Sequence, residues 1–363
     1  MHTIFKEMKL IYFENIITHQ NVEKKMLDLE KLNKIDLSKI YQAYDNWPKI
    51  AEESFDFDFE QIEYKNFDNI VFSGMGGSGS IGDFFTSILS KTNIHSTTVK
   101  GYVLPNTVTK DSLVIVTSVS GNTVEVRSIL EESFKKNFRI ICFSSGGKIE
   151  DFCKKNNIPY RHIEKIHSPR ASLTKFLFSM LKILQPIIPI KDENISETIL
   201  ELKKLNKKIS SSNMDNSNPS LSLAEWITNM PIIYYPSGLQ AAAIRFKNSL
   251  QENAKIHAAS EEVIEASHNG IVAWEKSSKI KPILIRGKDD YIKTKERWEA
   301  FKEYFSENNI EYKEIFSSGE SILSKLMSLV YLLDYCSIYR SILSETDPSP
   351  VASIEFIKKR IQE

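Results

Sequence analysis

The feature that most restricts the fold is a repeated local order: a short β-branched run, a small polar loop, then a helical pattern. It first appears in DNIVFSGMGGSGSIGDFFTSILS, where an apolar run gives way to glycines and serines, and Phe84, Phe85, Ile88 and Leu89 then recur at helical spacing. STTVKGY supplies a second short strand. SLVIVTSVSGNTVEVRSILEES and FRIICFSSGGKIEDFCKKNN repeat the order, and IPYRHIE adds another strand. Strands alternating with helices predict a mostly parallel sheet flanked by helices. SPRASLTKFLFSMLKILQPI then reads as a long buried helix.

The same order returns after a Ser/Asn-rich stretch, residues 207–222, which reads as a loop at a domain boundary. MPIIYYPSGLQAAAIRFKNSLQENAK is strand, loop and helix. IKPILIRGKDD leads into TKERWEAFKEYFSENN, and EYKEIFSSGES leads into a long apolar helix. A chain of 363 residues suits about two domains. The expected plan is N-terminal helices with a first α/β domain over 26–206, and a second domain with a C-terminal helix over 223–363. The two share a plan without a residue-by-residue repeat. Leu27, Leu29, Leu32 and Ile35 mark an amphipathic start, and DLSKIYQAYDNWPKIAEE continues as helix interrupted near Pro48. Residues 1–25 read either as a flexible extension or as an overcalled start of translation.

Lys+Arg and Asp+Glu balance at 47 each, so the chain has no net field to attract nucleic acid or an acidic membrane. Cys142, Cys153 and Cys336 form no CxxC pair, against both a disulfide-stapled secreted protein and a thiolate zinc site. The greasy stretch Phe176 to Ile190 is broken by Lys182, Gln185 and two prolines, and is shorter than the ~18 apolar residues of a membrane span. The opening MHTIFKEMKLIYFENIITHQ lacks a clean apolar core and a small-residue cleavage site. A cytoplasmic protein without membrane or nucleic-acid partners is expected.

Two loops carry chemistry. Gly74-Met75-Gly76-Gly77-Ser78-Gly79 satisfies GxGxxG, whose glycines let helix N-terminal N–H groups face an anion. A dinucleotide site also wants an acidic residue at the end of the second strand, and STTVK ends instead in Lys100. Thr117-Ser118-Val119-Ser120-Gly121-Asn122-Thr123 follows the strand LVIV and places four hydroxyls at its C-terminal end, where open α/β sheets bind ligands. A helix cap accounts for one such residue, not for several. The pair reads as a monophosphate cradle, with Gly77 and Ser78 on one loop and Ser118, Ser120 and Thr123 on the other.

GMGGSG, then Gly82-Asp83, then SVSGNTVE together resemble the sugar isomerase (SIS) domain. Ser168-Pro169-Arg170-Ala171, Leu250-Gln251-Glu252-Asn253-Ala254-Lys255 and Ser267-His268-Asn269 narrow this. With them the chain resembles the bifunctional phosphoglucose/phosphomannose isomerase family from about residue 27 onward. The resemblance implies two SIS-type domains, a homodimer with composite active sites, and sugar 6-phosphates as substrates. It implies interconversion of glucose 6-phosphate and mannose 6-phosphate with fructose 6-phosphate through a cis-enediol, without a cofactor.

The resemblance makes Glu252 the base, although by periodicity alone it reads as a solvated surface charge. A partly desolvated carboxylate suits the task, because burial raises its pKa toward neutrality. His268 matches the family's ring-opening histidine, which reaches the site from the neighbouring subunit; histidine suits proton transfer near pH 7. Arg170 opens a helix, where a cation opposes the dipole, and so calls for a functional reason such as holding enediolate charge. Lys358 best matches a substrate-contacting lysine near the family's C-terminus, with Lys359 as its rival. Ser349 stands where the family often carries Thr. The seven histidines are scattered, with only His162 and His167 close together, so no metal is expected. The rival reading is a non-catalytic sugar-phosphate-binding SIS regulator, which would lack counterparts of Glu252 and His268. A glucosamine-class isomerase would need an amidotransferase domain, for which this length leaves no room.

Overall fold

Three short helices lead into the first sheet: α1 (Leu29–Ile35), α2 (Ile40–Asp45) and α3 (Trp47–Asp56). Asp28 caps α1 by accepting the Lys31 N–H at 2.7 Å. Pro48 sits in the first turn of α3, where its missing N–H breaks no helical bond. The expected interruption near Pro48 is therefore the junction between two helices. The computed structural model describes residues 27–64, 67 and 69–361. The reading of residues 1–25 lies outside them.

The first sheet runs β1 (Asn69–Ser73), α4 (Gly76–Leu89), β2 (His95–Val99), β3 (Leu113–Ser118), α5 (Val124–Lys135), β4 (Arg139–Ser144), α6 (Gly147–Lys155) and β5 (Tyr160–His162). Its order is β2-β1-β3-β4-β5, and all pairings are parallel. The central strand β3, LVIVTS, is buried along its whole length, as a parallel strand covered on both faces must be. A helical layer follows: α7 (Leu173–Leu184), α8 (Asp192–Ile209) and α9 (Pro219–Trp226).

The second sheet comprises β6 (Pro231–Tyr235), β7 (Ala259–Glu262), β8 (Lys281–Arg286) and β9 (Lys313–Phe316), in the order β7-β6-β8-β9, again parallel. Helix α10 (Gln240–Asn253) leaves β6, and the short α11 (Val263–Ala266) follows β7. Helix α12 (Ile292–Glu307) leads to β9, then come α13 (Ile322–Leu343) and α14 (Ala352–Arg360).

Three details differ from the sequence reading. The Ser/Asn-rich loop is shorter than 207–222, because α8 runs to Ile209 and α9 begins at Pro219. Its polar composition is partly capping chemistry: buried Asn218 accepts the N–H groups of Ser220 and Leu221 at 2.9 and 3.0 Å. The two halves do share a short repeat, Phe-Ser-Ser-Gly, at the ends of β4 and β9, the same position in each sheet order. Its glycines, Gly146 and Gly319, take positive φ of 113° and 86°. Finally, among the described residues the helix most like a membrane span is α13 rather than the 176–190 region. It is 22 residues long, and 83% of its most apolar window is buried inside the protein.

That burial explains the architecture. Helix α13 packs on α8, α9 and α10 and touches α4, so one hydrophobic cluster runs through both halves. Strand residues of both sheets, among them Phe72, Ile115, Ile233 and Ile283, belong to that one cluster.

Candidate active site

The phosphate-type loops converge. Ser78 Oγ accepts the Val119 N–H at 3.0 Å, which ties the loop after β1 to the loop after β3. Gly121 has φ of +68°, and a Cβ there would lie 1.6 Å from the Gly146 carbonyl oxygen, so only glycine lets the β3 and β4 loops pack this closely. The Ser118 hydroxyl lies 3.0 Å from the Thr123 hydroxyl and accepts the Gly121 N–H at 3.1 Å. Ser118 thus braces the loop from behind, while Ser120 and Thr123 face an open cavity of about 400 Å³ together with Gly77 and Ser78. Lys100, where a dinucleotide fold would carry an acid, pairs instead with Asp83 at 2.5 Å.

The opposite wall joins Arg170, from the end of the first half, to Glu252 and Lys358 from the second. Arg170 precedes α7 and is 7% exposed. Its Nε donates to Asn253 Oδ1 at 2.7 Å, and its Nη2 donates to the carbonyls of Pro348 and Ser349 at 2.7 and 3.0 Å. Its Nη1 faces Glu252 Oε2 at 3.5 Å. Gly77 completes the approach: a Cβ there would sit 3.0 Å from the Pro169 carbonyl oxygen. Glu252 lies on the last turn of α10 with a side chain 28% exposed. Lys358 reaches the cavity from α14, and Lys359 is not among the residues that line it.

Buried side chains behind the cavity hold this wall. Arg245 Nη2 donates to the Arg170 carbonyl at 2.8 Å and to Asp334 Oδ2 at 2.6 Å, and both charged side chains are essentially fully buried. Trp47 Nε1 donates to the Ala171 carbonyl at 3.0 Å. Lys255, in the left-handed region with φ of 56°, donates to the carbonyls of Glu252 and Pro348 at 2.5 and 3.2 Å. Burial, and after it the charge of Arg170, holds the Lys255 ammonium below its usual pKa.

The fold therefore gathers Gly77, Ser78, Ser120, Thr123, Arg170, Glu252 and Lys358 around one cavity. It does not bring His268 there within its own chain. His268 is exposed in the turn after α11, where its N–H bonds the Glu265 carbonyl at 2.9 Å. Sequence reasoning quoted Asn253 in a motif without giving it a role, and passed over Arg245, Asp334 and the lining residue Glu125. Asp334 had a signal: it is the single acid in the apolar helix α13. A larger hollow, about 490 Å³, is lined by residues 274–281 and 308–311. It lies at the strand ends opposite to those where such sheets bind ligands. Among the described residues, no group of three or more His, Cys, Asp or Glu side chains is placed to hold a metal ion.

Two parallel sheets joined through a shared helical layer, with a Gly/Ser cradle at the strand ends, define a protein of the SIS class. A family model described as the bacterial phospho-glucose isomerase C-terminal SIS domain matches residues 216–361. A bifunctional phosphoglucose/phosphomannose isomerase of Caldicellulosiruptor bescii is 30% identical over 316 residues, covering 83% of this chain and 92% of the relative. One from Aquifex aeolicus is 29% identical over 316 residues, covering 84% and 95%. The C-terminal domain of glucosamine-fructose-6-phosphate aminotransferase from Francisella tularensis superposes with a TM-score of 0.65 at 14% identity, over 86% of this chain and 98% of that one. The last likeness shows the fold alone. The chain belongs to the bifunctional phosphoglucose/phosphomannose isomerase family, and with that it is an isomerase.

Proposed function

We propose that the protein interconverts glucose 6-phosphate and mannose 6-phosphate with fructose 6-phosphate through a cis-enediolate. The observation that carries this is the placement of Glu252 and Arg170 across one cavity from the Gly77–Ser78 and Ser120–Thr123 loops. The loops bind the 6-phosphate through N–H groups and hydroxyls. That anchors one end of the open sugar and sets C1 and C2 against the other wall. Glu252 takes a proton from C1 of the ketose, and the electron pair moves onto the C2 carbonyl oxygen. Arg170 Nη1 and the Lys358 ammonium stabilise the resulting negative charge. A proton then passes from O1 to O2, the electron pair left on O1 forms the C1 carbonyl, and return of a proton to C2 gives the aldose; the face that receives it sets the gluco or manno configuration.

His268 of a neighbouring subunit opens the ring, and on this reading the enzyme is a cytoplasmic homodimer. The test is direct: purified protein is incubated with fructose 6-phosphate and the products are resolved. Both glucose 6-phosphate and mannose 6-phosphate are expected. Formation of neither rejects the reading, and formation of one alone rejects the dual substrate range.

A further inference from the structure

A guanidinium is a planar fork of five N–H donors, and beside a carboxylate it ordinarily closes two parallel bonds at about 2.8 Å. Arg170 and Glu252 do not do this. Their one contact is Nη1 to Oε2 at 3.5 Å. The other arms of the fork are taken by neutral oxygens: Nε by Asn253 and Nη2 by the carbonyls of Pro348 and Ser349. Taking Glu252 as the base, as proposed above, we infer that Asn253 is a positioning residue that keeps Arg170 from closing a bidentate salt bridge on it. Glu252 is then free to accept a proton, and Nη1 stays free for the substrate oxygens.

The amide of Asn253 is itself oriented. Asn253 is fully buried, and its Nδ2 donates to Ser337 Oγ at 2.8 Å. Ser337 gives its own proton to the Asp334 carbonyl at 2.6 Å. The serine therefore accepts from Asn253, and the carboxamide oxygen is left facing Arg170. A flipped amide would point N–H at N–H.

The main chain of Arg170 and Ala171 is pinned separately by Arg245 and Trp47. Loss of Asn253 thus releases Nε and leaves the fork able to pivot about Nη2, which stays on the Pro348 and Ser349 carbonyls, without releasing the turn. The other charged or titratable groups around the pair are Lys255 after α10, Arg245 on α10, Asp334 on α13, Asp347 before α14, Lys358 on α14, Glu125 on α5 and Tyr44 on α2. All of them persist in the variants below.

The experiment compares kcat, KM and the pH profile of kcat/KM for wild type, Asn253→Ala, Asn253→Asp and Ser337→Ala with fructose 6-phosphate. In Asn253→Ala the fork turns onto Glu252. kcat should fall about tenfold or more while KM changes little, and the acidic limb should move down by about one pH unit, as for a carboxylate newly paired with Arg. Asn253→Asp puts a second anion beside Glu252 and should move the limb upward. Ser337→Ala, the milder change, should shift it in the same direction as Asn253→Ala by a smaller amount. A limb that stays in place while kcat falls means structural damage alone and overturns the inference; so do unchanged kinetics. If Asn253→Ala does not fold, the limb of Ser337→Ala decides in the same way. A wild-type chain without isomerase activity overturns the functional reading and this inference together, whereas an active wild type with unmoved variant limbs overturns this inference alone.

Discussion

Glu252 and Arg170 are 82 positions apart, yet the chemistry proposed here depends on their meeting at 3.5 Å. At the residue scale the loops were the legible part. Glycine and hydroxyl residues after a β-branched run state their own geometry, because few other side chains fit a tight anion-binding turn. Glu252 and Lys358 were legible only through family resemblance, since a lone charge on a helix carries no periodic signal, whereas Arg170 also stood out as a cation at a helix start. The buried partners were less visible still. Arg245 and Asp334 form a desolvated ion pair whose value lies in what it holds, the Arg170 carbonyl. Removing one partner of such a pair typically costs about 3–5 kcal/mol, because the other is left buried and charged. A sequence shows each of them only as an isolated charge among apolar neighbours.

At the element scale, the two Phe-Ser-Ser-Gly loops show one device with two occupants. After β4, the exposed N–H of Lys148 is met by Asn122 Oδ1 at 3.1 Å, which braces the hydroxyl loop that faces the cavity. After β9, the N–H groups of Glu320 and Ser321 are met by the carboxylate of Glu197, reaching over from α8. The second half has filled its own anion position. Burial pushes the Glu197 carboxyl up, but the N–H groups of Glu320 and Ser321 outweigh it and leave the pKa below the usual value. The contribution is therefore fully present above the unfolded value of about 4.3 and fades as pH falls through the lower folded value. Glu197→Gln should lower stability by about 1 kcal/mol at pH 7. In urea titrations its deficit against wild type should shrink below roughly pH 4; an equal deficit at both pH values would show that the charge is irrelevant. The strands around these loops were mostly legible from β-branched runs. β7 was not, because Ala-Ser-Glu-Glu is a half-buried segment with no such run.

At the scale of the molecule, the two-half plan was readable from the repeated strand–loop–helix order, but the shared core was not. It depends on α13 threading between the halves, and no local pattern records which surfaces a buried helix will touch. The exposed position of His268, away from its own chain's cavity, fits the proposal that it completes a neighbour's site. Glu252→Gln and His268→Ala subunits should then complement. Random pairing makes about half the dimers mixed, each with one intact site, so activity should approach a quarter of wild type. Verified mixed dimers no more active than their parents would place both residues in one chain's site. The proton transfer itself is read most directly by running the fructose 6-phosphate conversion in D₂O to equilibrium and locating deuterium by NMR. Deuterium at C2 of both aldose products is the expected result, with Glu252→Gln at least ~10²-fold slower in forming them. The Glu252 side chain is 28% exposed, so a proton it carries exchanges with solvent over repeated turnovers; aldoses that form at full rate but keep protium at C2 at equilibrium would contradict proton transfer through Glu252.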